Sequence, residues 1–181
     1  MRQKLWTLLL LLPLAHWGQH HEMVYIPETD PLVQEKLAQW QGLKFGLLMH
    51  WGPYSQRGIV ESWSICAEDE GWCKRPYEDY TAYKKAYEKL PETFNPTGFD
   101  PERWAAAARK AGMKYVVFTT KHHDGFCMFD TKYTNYKVTA ENVPFHTHPK
   151  ANIAREIFDA FREEGLWTGA YFSKPDWHNN D

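Results

Sequence analysis

Three short apolar runs, each ending in polar and aromatic side chains, are spaced along this chain at 43–49, 114–120 and 166–173. Short runs of aliphatic, β-branched and aromatic residues predict buried strands. Because each run ends abruptly in charged, imidazole or aromatic side chains, we expect a polar site at the C-terminal ends of these strands.

Segments with helical spacing lie between and beside the apolar runs, at 80–87, 100–112 and 152–164. Asp100 can accept hydrogen bonds from the free amide groups at the start of the second helix, and Gly112 ends it. In the first helix Tyr80, Tyr83 and Tyr87 share one face, which we interpret as a packing face.

Strands that alternate with amphipathic helices predict a parallel α/β fold. The chemistry collects at the strand ends and no glycine-rich phosphate loop follows the first strand, which favours a (β/α)8 barrel over a doubly wound sheet. Such a barrel requires eight strands and usually about 250 residues, whereas three strands are predicted here. Residues 19–181 are therefore expected to form the N-terminal part of a TIM-like barrel that is incomplete in this chain.

Residues 1–18 have the pattern of a secretory signal peptide. Arg2 and Lys4 precede an apolar stretch with five consecutive leucines, and this stretch is shorter than the roughly 20 residues that span a bilayer. We therefore expect a secreted or periplasmic protein with no membrane span.

Charge and cysteine content narrow the function classes. Without residues 1–18 the chain has 19 basic and 23 acidic residues, a formal net charge of −4, which disfavours a nucleic-acid partner. In an oxidising compartment Cys66 and Cys73 could close a small disulfide loop, and Cys127 would remain as a buried thiol. The cysteine spacing matches no zinc site.

The candidate site gathers residues from the three strand ends and from the irregular segment at 55–80. Imidazole and carboxylate groups beside indole rings suit a polyol such as a sugar better than a phosphate. Three residues have other interpretations: His50 as a core histidine, Glu61 as an exposed acid, and Asp124 as a turn residue. The predicted site comprises His50, Glu61, Trp63, His122, His123 and Tyr171.

Tyr171 and its neighbour Phe172 must point to opposite faces of the third strand. We expect one of the two rings to lie in the barrel interior and the other to pack on a helix.

A second hypothesis for the site as a whole is a metal-dependent hydrolase on the same barrel. Its ligands would be His50, His122, His123 and His178.

Several motifs follow the leader in a fixed order. They are Phe-Gly-Leu-Leu-Met-His-Trp-Gly-Pro-Tyr at 45–54, Glu-Ser-Trp at 61–63, Phe-Asn-Pro at 94–96, Lys-His-His-Asp-Gly-Phe at 121–126 and Gly-Ala-Tyr-Phe-Ser at 169–173. This ordered set resembles the α-L-fucosidases of glycoside hydrolase family 29. The resemblance implies a secreted, retaining exo-glycosidase that removes terminal α-L-fucose from fucosylated oligosaccharides or glycoconjugates and uses no metal or organic cofactor.

The resemblance also implies roles for single residues. His50, His122 and His123 match histidines that bind fucose hydroxyls, and Tyr171 matches the tyrosine of the third strand end. Glu61 and Trp63 match a Glu-Trp pair that touches the sugar, here with a serine between them.

The family's nucleophilic aspartate and its acid/base glutamate belong to later strands, which we expect downstream of Asp181. Asp124 belongs to the histidine motif and is not the nucleophile. This chain is therefore predicted to contain no catalytic residue and to show no hydrolysis alone.

An incomplete barrel would also leave a strand edge and an apolar face uncovered, from which we expect poor solubility.

The non-enzymatic alternative to a fucosidase is a lectin, a protein that binds fucose without catalysis. The sequence does not determine the oligomeric state.

Overall fold

The computed structural model describes residues 26–66 and 78–179. The first element is helix α1 (Pro31–Leu43), which has no buried residue and which the sequence patterns did not predict. Asp30 accepts a hydrogen bond from the Leu32 amide at its start. None of the helices in these ranges is long and apolar enough to cross a membrane. The predicted signal peptide at 1–18 lies outside the described residues.

Three parallel strands form one sheet in the order β1 (Leu47–Met49), β2 (Tyr115–Lys121) and β3 (Trp167–Phe172). The predicted parallel α/β arrangement is therefore confirmed for this part of the chain. Strand β1 starts four residues later than predicted. The reason is that α1 continues to Leu43 and Lys44 adopts a left-handed backbone conformation, with φ of 60°.

Helix α2 (Tyr80–Glu88) follows the irregular segment, α3 (Pro101–Lys110) precedes β2, and α4 (Ile153–Glu163) connects β2 to β3. The predicted cap is confirmed, because Asp100 accepts a hydrogen bond from the Arg103 amide. Gly112 has a φ of 84° just beyond α3, a conformation that glycine adopts without steric cost.

Two hydrophobic clusters hold these elements together. The larger one packs β2 against α3 and α4 through residues such as Phe118, Ala105 and Phe161. The smaller one packs residues of the segment 54–65 against α2 and consists of Tyr54, Ile65, Tyr83, Tyr87 and Leu90. Because Tyr83 and Tyr87 are buried in it, the interpretation of the tyrosine face as a packing face is confirmed.

The outer strands leave apolar side chains uncovered. Within the described part of the chain β1 and β3 each pair on one side only, and Leu48 is 59% exposed. The expectation of an unpaired edge is thus confirmed. Phe172 is 54% exposed, with the Lys121 Nζ 4.9 Å from its ring centre. Phe172 therefore does not meet, within the described residues, the expectation that one ring of the Tyr171 and Phe172 pair packs on a helix.

The described cysteines differ in state. Cys66 is disulfide-bonded, whereas Cys127 is a buried free thiol, as predicted. Burial raises the pKa of the Cys127 thiol to about 11. The predicted partner of Cys66, Cys73, lies outside the described residues.

Candidate functional site

Strand register brings three site residues into one row across the sheet. Met49 pairs with Phe118, and Thr119 pairs with Tyr171. His50 follows Met49 directly, and its Nδ1 lies 2.7 Å from Thr119 Oγ1. The His50 ring is also 5.1 Å from the Tyr171 ring in an edge-on contact. Because parallel strands end on the same side of the sheet, these side chains meet at its C-terminal edge.

The two adjacent histidines follow an irregularity in β2. Thr119 pairs with Tyr171 and Lys121 pairs with Phe172, so Thr120 has no counterpart on β3. The extra residue interrupts the alternation of faces, and Thr119, Thr120 and Lys121 are all buried. His122, which is 2% exposed, comes next, and its ring centre is 6.0 Å from that of Tyr171.

Glu61 lies between the histidines of two strand ends. Its Oε1 is 3.4 Å from His50 Nδ1 and its Oε2 is 2.9 Å from His122 Nε2, a buried nitrogen that makes no hydrogen bond with a described residue. Trp63 Nε1–H donates to the same Oε2 at 2.9 Å. The Glu61 side chain is 21% exposed, so its interpretation as an exposed loop acid was wrong.

Glu61 also has an unusual backbone, with φ of 49°. A residue with a Cβ atom adopts this left-handed conformation at a steric cost, and such strain is concentrated at functional sites. The three contacts of its carboxylate hold the side chain among the histidines despite this cost.

Aromatic rings surround His123. Its ring centre is 4.6 Å from Trp63 and 4.7 Å from Trp177, and the two indoles are 5.7 Å apart. The His123 carbonyl also accepts a hydrogen bond from the Trp177 amide at 2.6 Å. The loop after β3 thus forms one wall of the site.

The adjacent histidines are held in the neutral form. Burial, assisted by the neighbouring His123, His50 and Lys121, lowers the pKa of His122 to about 3. Burial and Lys121 also lower the pKa of His123, while Glu61 acts in the opposite direction. At neutral pH each imidazole therefore offers one donor and one acceptor.

Asp124 anchors the turn that follows the histidines. Its Oδ2 accepts from the Tyr87 hydroxyl at 2.8 Å, and its Oδ1 accepts from the Phe126 amide at 3.2 Å. Burial outweighs these hydrogen bonds and raises the pKa of Asp124 to about 6. With both oxygens occupied inside the protein, Asp124 is a turn residue, as the sequence suggested.

A buried lysine fixes the loop after β3 next to this turn. Lys121 Nζ donates to the Pro175 carbonyl at 3.1 Å and lies 3.8 Å from Asp176 Oδ2. Gly125, with φ of 79°, lets Asp176 approach so closely that a Cβ atom at this position would collide with the carboxylate.

All six predicted site residues meet in this region. Sequence reasoning missed three others that contact them: Ser62, Thr119 and Trp177. Thr119 is the last residue to pair between β2 and β3 before the irregularity, so strand register could have identified it. Trp177 follows the third predicted strand and had that strand-end signal, whereas Ser62 has no comparable local signal, because its contact depends on how a loop folds back.

The predicted positions of the nucleophilic aspartate and the acid/base glutamate lie outside the described residues. The nucleophile and the acid/base were expected downstream of Asp181, and Asp181 itself lies outside the described residues, which end at position 179. The position of these two carboxyl groups therefore stays a prediction.

The four-histidine metal set is not assembled. His178 Nδ1 lies 3.2 Å from Glu88 Oε1, and its ring stacks on Tyr136 at 4.1 Å. The hypothesis of a metal site with His178 as a ligand was therefore wrong. Among the described residues, the side chains close enough to share a metal ion are His50, Glu61 and His122, whose ligand atoms lie within 4.8 Å of one another.

Comparison with known proteins points to one family. A family model described as alpha-L-fucosidase matches residues 14–181. The chain is 30% identical over 174 residues to the alpha-L-fucosidase of Branchiostoma floridae, covering 93% of this chain and 38% of that protein.

Comparison with solved structures indicates the same family. Alpha-L-fucosidase isoenzyme 1 from Paenibacillus thiaminolyticus superimposes with a TM-score of 0.63 at 41% identity, over 81% of this chain and 30% of that one. A family 29 alpha-L-fucosidase from Bacteroides thetaiotaomicron, a trapped covalent intermediate in complex with 2-fluoro-fucosyl fluoride, gives a TM-score of 0.62 at 34% identity, over 84% of this chain and 32% of that one. The chain thus spans about a third of the length of these relatives. Both sequence and fold place it among them, and the chain belongs to the α-L-fucosidase family.

Proposed function

We propose that this chain carries the fucose-binding half of an α-L-fucosidase active site. The observation that carries the proposal is the meeting of His50, Glu61 and His122, whose nitrogen and oxygen atoms lie within 4.8 Å of one another, beside the indole of Trp63. Neutral imidazoles and a carboxylate can form paired hydrogen bonds with vicinal hydroxyls, and an indole can cover a C–H face of a sugar ring.

Charge in the site favours a neutral ligand. The pKa of His122 and that of His123 are lowered, so neither imidazole supplies the positive charge that a phosphate requires. Lys121, the nearby cation, is occupied by Pro175 and Asp176. A polyol fits this set of donors and acceptors better than an anion does.

Cleavage is proposed to follow the retaining double-displacement route. A solved relative is described as a trapped covalent intermediate, which supports this route for the present protein. Retaining glycosidases need a pair of carboxyl groups about 5–5.5 Å apart. Among the described residues near the histidines, Asp124 is buried with both oxygens bonded and Asp176 contacts Lys121.

Glu61 thus remains as the carboxylate that faces the histidines in the described ranges. As the resemblance to the family implies, we assign the bond-breaking pair to segments downstream of Asp181, on later strands of a complete (β/α)8 barrel of which β1 to β3 would be the first three. On this proposal the 181-residue chain binds fucose but does not hydrolyse fucosides.

Secretion forms a separate part of the proposal. The basic and leucine-rich residues 1–18 support export to a secreted or periplasmic location, and a disulfide at Cys66 fits an oxidising compartment. Expression of the full sequence in a secreting host, followed by N-terminal sequencing of the exported protein, tests this. A product that stays in the cytoplasm with Met1 in place would contradict it.

The binding experiment is a titration of the chain with L-fucose, followed by NMR, with D-fucose as the matched control. We expect L-fucose alone to perturb the histidine signals, and equal effects of both enantiomers would contradict the proposal. In parallel, nitrophenyl α-L-fucoside is offered to the chain and to the full-length protein. Release of nitrophenol is expected from the full-length protein only. A full-length protein that binds fucose but does not hydrolyse the fucoside would favour the alternative of a fucose-binding protein without catalysis.

A further inference from the structure

Ser62 occupies a place where a serine hydroxyl normally caps a helix. It is the N-cap residue of the 3-10 helix Trp63–Ile65, yet its side chain makes no cap hydrogen bond. Instead, this fully buried hydroxyl lies 2.5 Å from His122 Nδ1. A serine at an N-cap usually accepts from a backbone amide, so its orientation toward an imidazole calls for a different function.

The opposite nitrogen of the same ring faces a carboxylate, with His122 Nε2 2.9 Å from Glu61 Oε2. An ionised carboxylate only accepts hydrogen bonds. A lone pair on Nε2 at this distance would be repelled, so the proton of the neutral ring belongs on Nε2. Nδ1 is then an acceptor, and the Ser62 hydroxyl donates to it.

We infer that Ser62 is a positioning residue that fixes His122 in the tautomer with its proton on Nε2, so that the N–H of this buried nitrogen lies beside the Glu61 carboxylate. The inference rests on the proposed sugar site for its consequence, although not for its geometry. The partly exposed Glu61 carboxylate could then accept from a ligand hydroxyl while the His122 Nε2 proton stabilises its charge. In the other tautomer, the unprotonated His122 Nε2 would lie beside the Glu61 carboxylate, and both groups are hydrogen-bond acceptors.

Direct observation of the ring nitrogens tests the tautomer without any sugar. Two-bond proton–nitrogen correlation spectra of the ¹⁵N-labelled 181-residue chain distinguish a protonated ring nitrogen from an unprotonated one. We expect Nε2 of His122 to be protonated and Nδ1 to be unprotonated near neutral pH. The reverse assignment in the unsubstituted protein would overturn the inference, whether or not any variant folds.

Variants test the role of the hydroxyl. Ser62→Ala removes the donor to Nδ1, and we expect a mixture of tautomers and an L-fucose affinity lower by about 10-fold or more, as is typical when a group that orients a metal-binding imidazole is removed. Ser62→Thr keeps a hydroxyl and should restore both. Ser64→Ala is the matched control, because Ser64 is buried in the same short helix but accepts from the Tyr83 hydroxyl.

Each outcome points to one conclusion. If Ser62→Ala retains the tautomer and the affinity of the unsubstituted protein, the positioning role is wrong while the fucose site stands. If the unsubstituted protein shows the expected tautomer but no L-fucose binding, the proposed function fails while the role of Ser62 in fixing the ring stands.

Discussion

The hydroxyl of Tyr87 donates to Asp124 Oδ2 at 2.8 Å, and both side chains are buried. This hydrogen bond joins α2 to the turn that carries His122 and His123. It therefore connects the smaller hydrophobic cluster directly to the candidate site.

Removal of this hydroxyl should affect both stability and binding. Tyr87→Phe leaves a buried carboxylate oxygen without its donor, a loss that costs about 1–3 kcal/mol, and should lower the affinity for L-fucose by displacing the histidine turn. Tyr83→Phe is the control, since Tyr83 lies one turn earlier and donates to Ser64. Urea unfolding and L-fucose titration provide the measurements. A loss of binding in both variants, or in neither, would contradict this connection.

The left-handed backbone of Glu61 predicts an unusual pair of variants. Glu61→Ala and Glu61→Gly both remove the carboxylate and should both abolish L-fucose binding. Only glycine relieves the strain at φ of 49°, so the glycine variant should be the more stable by about 1 kcal/mol. Thermal unfolding measures the difference. Equal melting temperatures would show that the backbone at this position is not strained.

Asp124 and His122 should change stability with pH in opposite directions. The folded-state pKa of Asp124 is raised to about 6, so its contribution is fully present below about pH 4, where unfolded aspartate titrates, and is lost as the pH rises through 6. The folded-state pKa of His122 is lowered to about 3. Its contribution is present above about pH 6.5 and is lost as the pH falls toward 3.

Asp124→Asn removes the first contribution and leaves the second unopposed. We therefore expect the free energy of unfolding to fall more steeply between about pH 6 and pH 4 in this variant than in the unsubstituted protein. Urea titrations at a series of pH values measure it. Parallel curves for the two proteins would mean that the Asp124 carboxyl does not titrate in this range.

His123, between the indoles of Trp63 and Trp177, is predicted to contact the sugar. His123→Ala should weaken L-fucose binding by the chain and, in the proposed full-length enzyme, raise KM and lower kcat together, because contacts to sugar hydroxyls strengthen in the transition state. His148→Ala is the control, since the His148 ring stacks on Phe145 in the larger core. Unchanged kinetics in the His123 variant would remove this residue from the site.

Within the described ranges the outer edge of β1 pairs with no strand, which predicts self-association. Leu48→Lys places a charge on this edge, and charged side chains are a common protection against edge-to-edge pairing. We expect the variant to remain monomeric at concentrations at which the unsubstituted chain aggregates, as measured by light scattering. Tyr133→Lys is the control, because it adds the same charge at an exposed aromatic residue outside the sheet. Equal improvement by both would indicate an effect of net charge alone.

The strands and most helices were predictable because their signals are local. The apolar run of β2 and the Asp100 cap of α3 depend only on neighbouring residues, and both were confirmed. Helix α1 was missed although Val33, Leu37 and Trp40 have helical spacing, and none of its residues is buried.

Within the site, the strand-end residues followed from the parallel fold, because strand C-termini share one edge. The contact of Ser62 with His122 joins residues 60 positions apart, and no spacing rule predicts it. The exposure of Phe172 was misjudged for a similar reason. The alternation of side chains shows on which face of a strand a residue lies. Whether that residue is buried depends on segments that are distant in the sequence.

The shortest strand has a consequence for ligand affinity. β1 has three residues, Leu47–Met49, and positions His50. If this edge strand detaches by local unfolding, His50 leaves while His122 and Tyr171 remain on β2 and β3. Only molecules with β1 docked can bind through all three residues, so the apparent dissociation constant equals the intrinsic one divided by the docked fraction. Affinity for the sugar thus becomes a measure of how firmly one three-residue strand is held.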